Sequence, residues 1–475
     1  MKKHRALHHH HHHNHLHHHN HLPHGKNQAI VVQKSSSKLV VVAIAFSTFV
    51  FVITIYIPLC HPSINLISYS SIFLLQSNNS KPPLISNDYE YSYYNLPSTS
   101  SSSSSSSPSS STQHKCNIFS GKWVPNPEGP YYNKSCWAIH DHVNCMKYGR
   151  HDSEFMKWRW KPDGDGCELP IFNPAHFLEL VKGKSLAFVG DSVARNHVQS
   201  LICLLSIVEY PIDVSKTPDF NFKRWRYTSY NFTMATFWTP YLVKRRVSDS
   251  GLASLYLDEF DEEWTTEIEE FDYIILSAGH WFFRRAVFYE KGNIVGCHYC
   301  IPDINNATEL GMFYGYRNAL RTAFKAITNS KDYKGITYLR TFSPSHFENG
   351  LWNEGGNCVR TKPFRRNETE LEGDNMEVYK TQLEEFRNAE REGRERGLKF
   401  RLLDTTQAML LRPDGHPNSH GRWRQENLTS YNDCLHWCLP GPIDTWNDFL
   451  LEMMKNELHL RSAEEETDKN LHSND

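Results

Sequence analysis

The sequence predicts an α/β domain, a parallel sheet flanked by helices with disulfide-stapled insertions, carried behind an N-terminal transmembrane helix. Three observations predict it. Short, mostly apolar runs at 185–189 (SLAFV), 273–276 (YIIL), 337–339 and 400–403 read as buried strands. Helical periodicity follows at 193–207, 315–328, 376–396 and 443–458, and strand-then-helix units bury a parallel sheet under helices on both faces. Ahead of them, residues 39–59 (LVVVAIAFSTFVFVITIYIPL) run for 21 positions without a formal charge, and about 20 apolar residues suffice to cross a bilayer.

The flanks of that run give its orientation. Residues 1–38 carry Lys2, Lys3, Arg5, Lys26, Lys34 and Lys38 and no Asp or Glu, so the cationic side stays cytosolic and everything after residue 60 faces a lumen or the exterior. The run is too long and too far from the start for a cleaved signal peptide, so it reads as an uncleaved anchor, single-pass and type II. The tail before it holds 13 histidines between residues 4 and 24, a low-complexity tract. Residues 60–115, with serine unbroken from Ser100 to Ser107, have too little apolar content to fold and read as a stem. The catalytic domain then spans 116–460, and 461–475 read as a flexible polar tail.

Cysteine usage agrees with a lumenal domain. Beyond Cys60, the ten cysteines Cys116, Cys136, Cys145, Cys167, Cys203, Cys297, Cys300, Cys358, Cys434 and Cys438 can pair completely, although spacing leaves their connectivity open. Six glycosylation sequons, at Asn78, Asn133, Asn231, Asn306, Asn367 and Asn427, all follow the anchor. A net charge of -2 with a pI near 7 gives no support to a nucleic-acid partner. No HExxH, P-loop or GxGxxG pattern occurs, and Cys297 with Cys300 lacks a second matching pair, so a disulfide is expected there and no metal.

Two segments carry chemistry. In LAFVGDSVARN, Gly190, Asp191 and Ser192 lie between a buried strand and a helix, at the sheet edge where open parallel sheets bind ligands. A helix N-terminus there offers N–H groups and a positive dipole to a developing oxyanion. The plainer reading is that Ser192 merely caps the helix. In YNDCLHWCLPGPIDTWN, Asp433 and His436 are three residues apart, which in a helical turn puts carboxylate and imidazole on one face. Asp433 would fix the tautomer of His436, which would take the Ser192 proton, so serine and imidazole are expected within proton-transfer reach. The plainer reading is a structural Asp/His pair tied down by Cys434 and Cys438.

A GDS after an early strand and a DxxH near the end resemble serine esterases of the SGNH or GDSL type. With WRWKPDGDGCELPIF (158–172) and SAGHWFF (277–283), they resemble the plant trichome-birefringence-like proteins over residues 116–458. The resemblance implies an SGNH/GDSL-like fold and O-acetylation of a cell-wall hemicellulose in the Golgi membrane. Ser192 would be the nucleophile, His436 the base and Asp433 its orienter. It implies no bound cofactor, but requires an acetyl donor of unknown identity, free or delivered by a membrane protein. Many members carry Asn where this chain has Ser277, which leaves the oxyanion donors open; the Ser192 N–H, Arg195, Asn196 and Gly279 are candidates. Two further segments, GCHYCIPDINNATELGMFYGYRNALRTAFKAI and RTFSPSHFENGLWNEGGNCVRTKPF, look most like members that acetylate xyloglucan side-chain galactose, with mannan and xylan as alternatives.

Of the 12 tryptophans, Trp281 and Trp437 adjoin site motifs and, with His280, are candidates for substrate contact. His280 and His416 are rival bases without an acid at the spacing Asp433 provides. The same triad would serve a polysaccharide acetyl-esterase if water attacked, and a non-catalytic polysaccharide-binding protein is the reading from a different class.

Overall fold

The computed structural model describes residues 116–300, 307–421 and 431–472, the last twelve as backbone. The anchor at 39–59, the tail before it, the stem, and the sequons Asn78, Asn306 and Asn427 lie outside these residues. Among the described residues no helix is long and apolar enough to cross a membrane.

In chain order, the elements begin with a two-stranded ribbon, β1 (Gly121–Pro125) and β2 (Trp158–Pro162). Helix α1 (Pro174–Leu180), β3 (Ser185–Gly190) and α2 (Ser192–Leu205) follow. Then come β4 (Ile212–Asp213), β5 (Phe222–Tyr227), β6 (Phe232–Trp238), β7 (Val243–Val247), β8 (Ala253–Phe260) and the short α3 (Glu262–Thr265). The second half holds β9 (Tyr273–Ser277), β10 (Ala286–Glu290), β11 (Asn293–His298), α4 (Gly311–Asn329) and β12 (Ile336–Arg340). It ends with α5 (Gly373–Glu395), β13 (Lys399–Leu403), α6 (Thr406–Leu410) and α7 (Thr445–His472).

The main sheet has seven strands in the order β13-β12-β9-β3-β6-β5-β4. Its five strands from β13 to β6 are parallel, as the apolar runs predict, and all four expected strands are present. Alternation along β3 sorts the two faces: Leu186 and Phe188 join the core under α1, α2 and α7, while Ala187 and Val189 join the core under α4 and α5.

Three features depart from the sequence reading. β5 and β4 continue the sheet antiparallel, so it is mixed. A second sheet, β11-β10-β8-β7, packs on the α4 side and was not anticipated, because strands such as VKRRV and ASLYLDEF bury one face and leave the other polar. Helix α7 runs to His472, into the segment read as a flexible tail.

All ten cysteines pair: Cys116–Cys167, Cys136–Cys203, Cys145–Cys438, Cys297–Cys300 and Cys358–Cys434. Asn133, Asn231 and Asn367 are exposed.

Candidate active site

The serine half is built by backbone. β3 ends at Gly190, where a Cβ would come within 1.9 Å of the Ser277 carbonyl oxygen in β9, so glycine is what lets these strands run side by side to their ends. Asp191 then caps α2. Its Oδ1 accepts from the N–H groups of Val193 (3.0 Å) and Ala194 (3.4 Å), and its Oδ2 from Gly279 N–H (3.2 Å). The capping role considered for Ser192 therefore belongs to Asp191. Ser192 is the first helical residue, half-buried, with a hydroxyl that makes no hydrogen bond among the described residues. Its own N–H is not among those Asp191 accepts, so it points out at the positive end of the helix.

Asp191 is fully buried, which alone would push its carboxyl up. The neighbouring His280 ring (Nδ1 to Oδ2, 3.6 Å), the Arg340 cation and the Val193 N–H reverse this and hold it below its ordinary value. His280 is in turn fixed by Nε2, which donates to the Ser343 carbonyl (2.9 Å), and by stacking on Phe342 at 4.4 Å. It thus faces Asp191 with Nδ1, which is buried and makes no hydrogen bond among the described residues, so its role here is as the charge neighbour of Asp191. Gly279, offered as an oxyanion donor, has its N–H committed to Asp191. Ser277 is buried, with its hydroxyl held by the Arg340 guanidinium, so the serine in SAGHW serves a buried cation.

The histidine half is built by cross-links. Cys434 and Cys438 bracket His436 and reach Cys358 and Cys145, respectively. Asp433 and His436 do meet, but in a bend following an isolated bridge between Asp433 and Asn418, not in the helical turn expected. Asp433 Oδ2 accepts from His436 Nδ1 (2.9 Å), while Oδ1 accepts from the N–H groups of His436 (2.9 Å) and Leu435 (3.1 Å). One carboxylate thereby shapes the turn and fixes the tautomer. Burial would lower His436, but the charge and hydrogen bond of Asp433 outweigh it and leave the imidazole above its ordinary value. Asp433 is carried the opposite way, below its usual range, by His436 against the effect of burial. Nε2 of His436 is buried and has no hydrogen-bond partner among the described residues.

Asn196 joins the halves. One helical turn beyond Ser192, its Oδ1 accepts from Trp437 N–H (2.8 Å) and its Nδ2 donates to Trp437 O (3.2 Å), so the helix that starts at Ser192 grips the residue after His436. This makes Asn196 a tie between the two halves, with one of its two Nδ2 hydrogens engaged. Among the described residues no hydrogen bond links Ser192 Oγ to His436 Nε2, so the direct contact expected from sequence is not made, and neither atom has another partner. Arg195 shares the Ser192 face of α2. Its half-buried guanidinium lies 4.3 Å from the Trp238 ring and 5.6 Å from Phe220, with no hydrogen bond or ion pair among the described residues.

Other expectations sort differently. Trp437 is fully buried, donates from Nε1 to Ser343 Oγ (2.9 Å) and stacks on His416 at 4.0 Å, so it has no face for a substrate. His416 is occupied at both nitrogens, Nδ1 at 2.7 Å from the His436 carbonyl oxygen and Nε2 at 2.7 Å from His346 Nδ1, which removes it as a rival base. Trp281 is half-buried, edge-on to Trp238 at 5.5 Å, with the Arg284 guanidinium 3.9 Å from its ring.

Residues 116–168 supply what the motifs omit. The His142 ring meets His436 edge-on at 5.4 Å and is pushed down by burial to about 3, so it is neutral there. Arg150 donates to the carbonyls of His416 (2.9 Å) and Asp414 (2.6 Å), and Val143 O accepts from Leu439 N–H (2.9 Å). Of His142, Val143, Cys145 and Arg150, Cys145 alone was a candidate from sequence, and its partner Cys438 was left open there.

Residues 169–453 match PC-Esterase, the GDSL/SGNH-like acyl-esterase family found in Pmr5 and Cas1p. The chain belongs to that family. The preceding residues 114–168 match the PMR5 N-terminal domain, the same segment that packs His142 and Arg150 around the histidine loop. Among PC-esterase relatives, the protein trichome birefringence-like 19 of Arabidopsis thaliana is 56% identical over 382 residues, covering 79% of this chain and 89% of the relative. Xyloglucan O-acetyltransferase 4 of Populus trichocarpa is 45% identical over 350 residues, 72% of this chain and 82% of the relative. Xyloglucan O-acetyltransferase 2 of Arabidopsis thaliana is 43% identical, again over 350 residues, with 72% and 83% covered. The mixed α/β sheet agrees with the SGNH-like fold expected.

Proposed function

We propose that this protein is a Golgi-membrane O-acetyltransferase that moves acetyl to a hydroxyl of a hemicellulose, xyloglucan before mannan or xylan, through an acyl-serine. The observation that carries the reading is the His436 imidazole: Nδ1 pinned by Asp433, Nε2 buried and unpartnered, and the loop tied by Asn196 to the helix that begins at Ser192. The names of relatives at 43–45% identity support the reaction and the acceptor.

The first half-reaction requires Ser192 Oγ within proton-transfer reach of His436 Nε2. Nε2 takes the hydroxyl proton as Oγ attacks the acetyl carbonyl of the donor, and Asp433 stabilises the imidazolium that forms. The Ser192 N–H at the start of α2 faces the developing oxyanion, and Arg195, with its donors unspent, is the nearest cation on the same helix face. The leaving group takes the proton back from Nε2. A sugar hydroxyl then gives its proton to Nε2 and attacks the acyl-serine; Ser192 Oγ departs, taking that proton from Nε2, and the sugar leaves as the acetyl ester.

Incubating the protein with labelled acetyl donor and xyloglucan, mannan and xylan oligosaccharides tests this. Label is expected in xyloglucan and absent with Ser192→Ala. A second reading, hydrolysis, is favoured by the acyl-esterase description of the family. Release of acetate with no label in any polymer would establish it against transfer.

A further inference from the structure

Away from the triad, two aromatic rings are exposed beside the histidine loop. Trp352 is 59% exposed and Tyr431 is 50% exposed, and their ring centroids lie 5.6 Å apart at 58°. They come from different stretches of chain, yet both are held firmly. The turn carrying Trp352 is closed by Glu348 N–H to Asn357 O (2.7 Å), Asn357 N–H to Glu348 O (2.8 Å) and Gly356 N–H to Leu351 O (3.0 Å). Asn432 Nδ2 donates to Gly356 O (2.9 Å), and the Cys358–Cys434 disulfide bolts the turn to the segment that supplies Asp433 and His436.

This pair differs from the other aromatics near the site. Trp238 and Trp281 each carry a guanidinium over the ring, from Arg195 and Arg284, and Trp437 is buried. Trp352 and Tyr431 have no cation over them among the described residues. In extended chain residues two apart face the same way, and Asp433, in its bridge to Asn418, lies two residues after Tyr431. The rim of the turn holds Asn349, the ion pair of Glu348 with Arg360, and the exposed Glu354, whose carboxylate accepts from Leu351 N–H (3.5 Å). Exposed aromatic faces bordered by amide and carboxylate acceptors suit a neutral, polyhydroxylated chain, which offers both C–H faces and hydroxyl donors.

We infer that Trp352 and Tyr431 form a glycan subsite that grips the neutral polysaccharide chain flanking the sugar acetylated at Ser192 and His436. The inference rests on the acetyltransferase reading for its substrate. A rigid mount matters for such a subsite, because a polymer held a few sugars away delivers its hydroxyl only if the grip and the base keep a fixed distance.

The test uses the full-length protein, with Trp352→Ala, Tyr431→Ala and Trp352→Phe, and xyloglucan oligosaccharides of increasing length as acceptors. Loss of one stacking face is expected to raise KM for long acceptors about tenfold with kcat within about twofold, and to cut the preference for long over short acceptors by a similar factor. Trp352→Phe restores most of it. Electrophoresis through gels containing xyloglucan polymer reads binding without turnover; the wild type is retarded and both alanine variants less so. Unchanged KM at every length together with wild-type gel retardation in both alanine variants overturns the subsite, as does equal loss for short and long acceptors. If the wild type transfers no acetyl but its retardation still depends on Trp352, the catalytic reading falls and the subsite stands.

Discussion

The serine and histidine halves of the site are held by different means. Ser192 sits where a buried parallel strand hands over to a helix, and its position is set by the β3 to β9 hydrogen bonds, by Gly190 and by the Asp191 cap. His436 sits in a loop with almost no regular structure, positioned by two disulfides, the Asp433 turn and the Asn196 tie. A sheet edge can place a nucleophile with local sequence alone, whereas an irregular loop needs distant residues to remove its freedom.

Removing either reacting side chain is the most severe way to test that the halves act as one. Ser192→Ala and His436→Ala are each expected to cut acetyl transfer by about 10³-fold or more, with thermal midpoint little changed. More than a tenth of wild-type transfer in either would separate the two halves.

Asp433→Asn probes the histidine side alone. Because Asp433 holds His436 above its ordinary value and the base must be neutral to act, activity should rise with pH through a midpoint above about 6.5. The variant is expected to lose about 100-fold in maximal rate and to shift that rise to lower pH. A pH profile that keeps its midpoint would show that the pair does not govern the base.

The covalent clamps give a contrast in stability. Cys145–Cys438 closes 293 residues and Cys297–Cys300 closes 3, and the entropy lost from the unfolded chain grows with loop length. Cys145→Ser should cost about 3–5 kcal/mol and most of the folded yield, and Cys297→Ser far less, as read by thermal midpoint and recovery. A milder probe is Asn196→Ala, which breaks the tie between the halves; about tenfold loss of transfer is expected, with about 1–2 kcal/mol of stability.

A further effect concerns the core behind both halves. Asp444, bonded by Tyr132 and Ser200, and Asp448, bonded by Tyr131, are raised by burial to about 6 and about 8. With folded values above the unfolded ones, their contribution is present in full below about pH 4 and is lost as pH rises through 6 and 8. Melting temperature should therefore fall across that window, and Asp448→Asn should flatten the fall.

The same contrast explains what could be read from sequence. Apolar runs such as SLAFV and YIIL declare a buried parallel strand, so the central sheet and the position of Ser192 were legible. DxxH was legible as chemistry but not as geometry: Asp433 works through a bend, and nothing in the spacing announces the bridge to Asn418. The His280 to Asp191 contact and the His416 to His436 carbonyl contact depend on which loops share the sheet edge, so spacing alone left both histidines as rival bases. Trp437 was misread because burial of a loop tryptophan follows from the disulfides around it.

The bond between Cys145 and Cys438 also imposes an order on the making of the molecule. Chains emerge from the amino end, so residue 145 must wait, unpaired with its final partner, while almost 300 more residues are made. Until residue 438 arrives the imidazole has no fixed place. A truncated or half-made copy can therefore assemble the nucleophile's strand and helix and still be chemically silent.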